Sequence, residues 1–267
     1  MAKLSDLISH RFRGFAPHEN TIAGLNAALD FGVQQVEFDI RVTRCGTPLI
    51  YHDEAARDGR GKLRHICDIL ASDLQNLGGT FSHMPTAEAL FAAAAAHENP
   101  ARLLIDMKDA GFEDMLVALA KAEGLTDRIL WVSWLPETLY AVRDLLPDAK
   151  LCLSHWCAKP SAQTRKLHKV FHSPNGHLPR PDRRSVHGER SGWFVEQPLQ
   201  GDMRALVSAV CVPRAMVTRA LVENYQADGI EVSAFSYVTR ECVEAAEDTL
   251  GLDAFFIDDK IVFDSFA

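Results

Sequence analysis

Between His10 and Asp53 the chain gathers histidines, carboxylates and arginines, in the string HRFRGFAPHENT and the later run VEFDIRVTRCGTPLIYHD. Gln35 to Ile40 alternates strictly. A strand there sends Glu37 and Asp39 to one face and Val36, Phe38 and Ile40 to the other. Two acids side by side on one strand face repel each other unless positive charge lies between them. Hard carboxylate oxygens suit one divalent cation, Ca2+ or Mg2+. His10 follows the apolar run Leu7-Ile8-Ser9, and His52, with Asp53 behind it, ends the run Pro48-Leu49-Ile50-Tyr51. A cation and an arginine neutralise phosphate oxygens while two imidazoles move protons, which is the equipment of metal-assisted phosphoryl chemistry.

The elements that must hold these residues follow a steady rhythm. Leu7–Ser9 reads as a short buried strand, and Thr21–Phe31 as a helix capped by Asn20 or Thr21 and ended by Gly32. Gln35–Ile40 is a second strand, and Pro48–His52 a third, joined to it by the turn-like Thr43–Gly46. Asp53–His65 reads as a loop above the strand ends, and Ile66–Leu74 and Ala87–Ala96 as helices. Strands over Arg102–Lys108, Ile129–Ser133 and Lys150–Ser154 alternate with helices over Phe112–Ala122 and Pro136–Leu146. After a break, strands over Leu206–Val212, Ile230–Phe235 and Ala254–Asp258 alternate with helices over Pro213–Ala227 and Thr239–Leu250. Apolar strands alternating with amphipathic helices predict an all-parallel sheet closed into a (β/α)8 TIM barrel, one domain over 1–267. The break, 155–201, is proline-rich and basic, with Arg180, Arg183, Arg184 and Trp193. It is expected to be a solvated insertion or a lid after the strand ending near 154.

Composition narrows the partners. A net charge of −8 over 267 residues, with a pI near 5.7, offers no broad basic surface for nucleic acid. No run of about eighteen apolar residues spans a bilayer, and the first residues lack a signal-peptide core, which predicts a cytoplasmic protein. The six cysteines form no CxxC pair and read as reduced thiols.

The residues so far quoted resemble the glycerophosphodiester phosphodiesterase family, whose pattern runs His-Arg-Gly, Pro-Glu-Asn-Thr, Glu-x-Asp and His-Asp. The spacings from His10 to Glu19, Glu19 to Glu37 and Asp39 to His52 match that pattern. Phe12 stands where the pattern has glycine, and His18 intrudes between Pro17 and Glu19. On the last strand the family's Thr-Asp pair is matched only by Asp258. The likeness covers about 1–155 well and 206–262 loosely. It implies that His10 and His52 are the general acid and base, that Glu37, Asp39 and Asp106 bind the metal, and that Arg11 and Lys108 bind the phosphate. The family's Glu-x-Lys is here Asp106-Met107-Lys108, and spider-venom-type phospholipase D enzymes are similar in having an aspartate there. Glu19 is expected to orient Arg11 and the first loop. Trp134 and Phe235, at or just past strand ends, fit either core or substrate pocket, and Trp193 a sugar or glycerol pocket.

The reaction so implied is hydrolysis of a small glycerophosphodiester to an alcohol and a phosphomonoester, by water or through a cyclic phosphate. The same chemistry on a sugar phosphodiester of the agrocinopine kind, or on a lysophospholipid, is the nearest alternative. A non-catalytic barrel that binds phosphodiesters is the alternative from another class.

Overall fold

The computed structural model describes residues 2–157, 193–195 and 198–267, with the side chains of 156, 157 and 193–195 excepted. Its strands are β1 (Leu7–His10), β2 (Gln35–Val42), β3 (Pro48–Ile50), β4 (Ala55–Arg57), β5 (Leu63–His65), β6 (Arg102–Met107), β7 (Ile129–Ser133), β8 (Lys150–Cys157), β9 (Trp193–Val195), β10 (Ala209–Pro213), β11 (Glu231–Tyr237) and β12 (Ala254–Ile257). Eight of them pair in parallel in the order β1, β12, β11, β10, β8, β7, β6, β2, and β1 pairs back onto β2. The sheet is therefore closed, a (β/α)8 barrel. Helices Ile22–Asp30, Ala87–Ala96, Glu113–Ala122, Pro136–Leu145, Gly201–Leu206, Arg219–Gln226, Arg240–Leu250 and Lys260–Phe266 follow the barrel strands.

Strand parity sorts the core into two layers. Val36, Phe38, Ile40, Leu103, Ile105 and Trp131 join the large cluster shared with the helices. Ile8, Leu104, Leu130, Cys152, Ala209 and Ala254 form a second cluster of their own. A strand buried on both faces reads as a continuous apolar run, and this is why β6 and β7 are so plainly legible.

Pro48–Ile50 departs from the expectation of a barrel strand: it runs antiparallel to β2, with Ile40 opposite Ile50 and Val42 opposite Pro48. The reason is chain length. The link is a tight turn closed by Thr43 N–H to the Thr47 carbonyl at 3.0 Å, and a parallel return needs a crossover of a dozen or more residues. Asp53–His65 is not plain loop but the hairpin β4–β5. The helix expected over Ile66–Leu74 is instead two 3-10 turns, Ile66–Asp68 and Ala71–Asp73, followed by the short helix Leu74–Leu77. The one expected from Pro213 begins at Arg219, where the Thr218 hydroxyl accepts from Leu221 N–H.

Candidate active site

The parity that fills the barrel with Ile8, Leu104, Leu130 and Ala254 carries the next inward residues to the C-terminal mouth. Two positions on from these stand His10, Asp106, Val132 and Phe256. They line one cleft together with Arg11, Glu37, Asp39, His52, Lys108, Trp134, Ser154, Cys211 and Phe235. Register sets the acids beside one another: Asp39 pairs with Asp106 across β2 and β6, and His10 with Glu37 across β1 and β2. Functional groups in such barrels sit at this face because the strands end there and the loops begin.

The loop after β1 is built to hold Arg11 over the acids. Arg11 and Phe12 both take left-handed backbone angles, φ 57° and 59°. The turn lets Arg11 N–H reach the Glu37 carbonyl at 3.0 Å and the Glu37 carboxylate at 3.2 Å. The Arg11 guanidinium ion-pairs with Asp39 at 3.2 Å and donates to Glu19 at 3.3 Å. Glu19 also accepts from Arg13 at 2.6 Å. Asn20, itself buried, donates its amide to Asp39 at 2.9 Å, while its backbone N–H bonds the Arg11 carbonyl at 2.8 Å. The cap of helix Ile22–Asp30 therefore falls to Thr21, whose hydroxyl accepts from Gly24 N–H.

Each histidine has its Nδ1 against an aspartate. His10 Nδ1 lies 2.5 Å from Asp258 Oδ1, and its Nε2 is 3.8 Å from Glu37. Asp258 is held in turn by Arg13 at 2.9 Å and by the Ser236 hydroxyl at 2.5 Å. His52 Nδ1 lies 2.7 Å from Asp53 Oδ1, and Arg41 donates to the His52 carbonyl at 2.8 Å. The His10 ring meets the Phe256 ring edge-on at 5.4 Å between centroids, and Trp134 packs edge-on against Phe235 at 6.1 Å.

The charges are concentrated and dry. Glu37, Asp39, Asp106 and Lys108 are each less than a tenth exposed. Burial, reinforced by Asp39, pushes the Glu37 carboxyl well above its ordinary range. Burial also raises Asp106. It would raise Asp39 as well, but Lys108 and Arg11 more than reverse this and hold that group well below the usual value. Burial works against the Lys108 ammonium, yet Asp106, Asp39 and Glu37 raise it on balance. Both His10 and His52 are lowered, chiefly by burial.

The three carboxylates fit a divalent cation. Oxygens of Glu37, Asp39 and Asp106 all lie within 4.8 Å of one another. Asp106 Oδ1 is buried with no hydrogen-bond donor among the described residues, a cost that a hard cation would remove. Lys108, expected at the phosphate, ion-pairs here with Asp39 at 2.9 Å and hydrogen-bonds Asp106. The ammonium thus shares two of the three acids that would ligate the cation.

Of the residues singled out in the sequence, Glu19 lies behind Arg11, and the Trp193 side chain with Arg180, Arg183 and Arg184 falls outside the described residues. The rest come together at the mouth. Sequence reasoning read Asn20 only as a helix cap and Asp53 and Asp258 only as matches to the family pattern, and it gave no part in the site to these or to Arg13. Asp258 carried a usable signal, being two positions past the inward Phe256.

The chain is similar to several known proteins. Rat glycerophosphodiester phosphodiesterase 1 is 26% identical over 184 residues, which is 61% of this chain and 54% of that protein. The chain thus spans about half the length of that relative. The human protein of the same name is 25% identical over 281 residues, covering 96% of this chain and 78% of its own. An Oleispira antarctica phosphodiesterase, solved with the product sn-glycerol-3-phosphate, superposes with a TM-score of 0.68 at 20% identity, covering 98% of this chain and 96% of that one. The family model for glycerophosphoryl diester phosphodiesterases matches residues 9–260, from the strand bearing His10 to just past Asp258, and this chain belongs to that family.

Proposed function

We propose that the protein hydrolyses a glycerophosphodiester to an alcohol and a phosphomonoester, with His10 and His52 as general acid and base. The observation that carries this reading is the single cleft lined by both histidines, Arg11, Lys108 and three clustered carboxylates. A cation held by Glu37, Asp39 and Asp106 would supply a Lewis acid beside the phosphate when bound. Arg11 offers a planar fork to the phosphate oxygens, and Lys108 a point charge. Asp258 and Asp53 fix the Nδ1 side of their imidazoles, so Nε2 is the atom each brings to the reaction. One imidazole takes the proton of the attacking hydroxyl, which is water or the substrate's own glycerol hydroxyl; in the second case the cyclic phosphate that forms is opened by water in a further step to give the phosphomonoester. The other gives a proton to the leaving alkoxide. Dryness strengthens each of these interactions, and Phe256, Trp134 and Phe235 supply the apolar wall.

The Oleispira relative's bound product supports glycerol phosphate as one half of the substrate. The test is turnover of glycerophosphodiesters and sugar phosphodiesters with and without chelator, followed by ³¹P NMR. Glycerol phosphate that appears only with divalent metal is the expected result. A chelator-insensitive rate refutes the cation, and no turnover of any diester leaves a binding barrel.

A further inference from the structure

Beside the catalytic cleft lies a larger one, about 390 Å³ against about 70 Å³. It is lined by the first loop at His18–Asn20, by Ile50 and Tyr51, and by the turn Gly79–Met84. The two clefts share their partition. Asn20 lines the larger one and donates to Asp39, Glu19 lines it and accepts from Arg11, and Tyr51 directly precedes His52.

Size decides what each can hold. The catalytic cleft has room for a phosphate-sized group and little more, whereas small-molecule sites run from roughly 300 to 1,000 Å³. The catalytic cleft is too small to enclose both halves of a diester around its phosphate, and the neighbouring cleft is of the size that one of them needs. Its chemistry is selective. Among the described residues no lysine or arginine lines it, and the one carboxylate there, Glu19, is engaged by Arg11 and Arg13. A second anion entering there would lose water with no lysine or arginine among the described residues to balance it. Tyr51, Ile50 and Met84 offer aromatic and apolar surface instead. The outer wall joins the intruding residue of the first loop to the turn: the His18 and His83 rings stack at 3.8 Å between centroids and 18° between planes. The turn is held from behind, since a Cβ on Gly79 (φ +59°) would come within 2.7 Å of the Asp58 carbonyl carbon.

We propose that this second cleft binds the alcohol half of the diester, favouring an alcohol with a flat or apolar body and no negative charge, and that the His18–His83 stack and Met84 set that preference. The inference rests on the phosphodiesterase reading of the site. The experiment uses three glycerophosphodiesters that differ only in the alcohol: methanol, benzyl alcohol and glycolate. Wild-type enzyme should prefer the benzyl over the glycolate diester by at least about tenfold in kcat/KM, the scale of a single pocket contact. Thr80→Trp, which fills the cleft, should lower the benzyl-to-methyl ratio by about tenfold, and the exposed His83→Ala should lower it in the same direction. Met84→Lys should raise the glycolate-to-methyl ratio. If all three variants turn over diesters with wild-type ratios, the cleft does not hold the alcohol, and the phosphodiesterase reading stands without it. Wild-type protein that cleaves none of the three overturns that reading and this inference with it.

Discussion

A histidine can exchange protons on cue only if its other nitrogen is fixed, and here the fixing groups come from different distances. Asp53 is the neighbour of His52, whereas Asp258 reaches His10 from 248 residues away. His10→Ala and His52→Ala should each lower kcat by at least ~10²-fold with little change in melting temperature. Near-wild-type turnover in either variant would sink the two-histidine mechanism. Asp258 adds a pH signature to stability. Burial alone would raise its carboxyl, but the His10 hydrogen bond and charge, the Ser236 hydroxyl and Arg13 hold it well below the ordinary value. A depressed folded value means the ionised form favours the fold. Its contribution is fully present above the unfolded value of about 3.9 and is lost as pH falls toward the folded one. The gap in urea midpoint between wild type and Asp258→Asn should therefore be wide near neutrality and narrow in acid. A gap that stays constant with pH would show that the carboxylate charge is not what stabilises.

At the scale of the element, the first loop explains why the family pattern has glycine where this chain has Phe12. The position is left-handed, which costs a residue with a Cβ about 1–2 kcal/mol. Phe12 is nonetheless fully buried, 6.0 Å from the Phe38 ring, and rests on Gly24 of the following helix. Losing a buried benzyl group costs about 3–5 kcal/mol, so packing outweighs the strain. Phe12→Gly should accordingly destabilise by a net of roughly 2–3 kcal/mol rather than relieve strain at a profit. A raised melting temperature would reverse that ranking. Gly24 is the complementary concession: a Cβ there would lie 2.8 Å from the Phe12 Cβ. Gly24→Ala should cost about 1–3 kcal/mol by thermal denaturation, because neither element can yield without moving Arg11.

For the molecule as a whole, the mouth concentrates acids that the barrel cannot easily keep ionised. Glu37 and Asp106 are both raised, and one Asp106 oxygen is without a donor among the described residues. A cation that binds only the folded chain stabilises it by about 2.7 kcal/mol at a hundredfold excess over Kd. Adding Ca2+ or Mg2+ to chelated protein should therefore raise Tm by several degrees. Glu37→Gln should lose most of that shift while being no less stable than wild type when both are metal-free, since it removes a costly buried acid. A metal response unchanged in Glu37→Gln would take that residue out of the ligand set. No helix among the described residues is long and apolar enough to cross a membrane.

Much of the barrel and most of the site could be read from the chain because side-chain parity is a local property with a period of two. Alternation in Gln35–Ile40 and Arg102–Lys108 was enough to put Glu37, Asp39 and Asp106 on one kind of face. The spacing of His10, Glu19 and His52 around them lay within one stretch of chain. What parity could not say is which faces meet. The closure of β1 onto both β2 and β12 brings Asp258 to His10, and only that closure turns an acid at the far end of the sequence into the partner of a histidine near its start. Lys108 was legible as a cation beside the acids, but its pairing with Asp39 depends on the register of β2 against β6. The second cleft was beyond reach for the same reason. Its walls come from residues 18–20, 50–51 and 79–84, three segments with no shared period, joined by a hairpin and a stacked pair that exist only once the chain has folded.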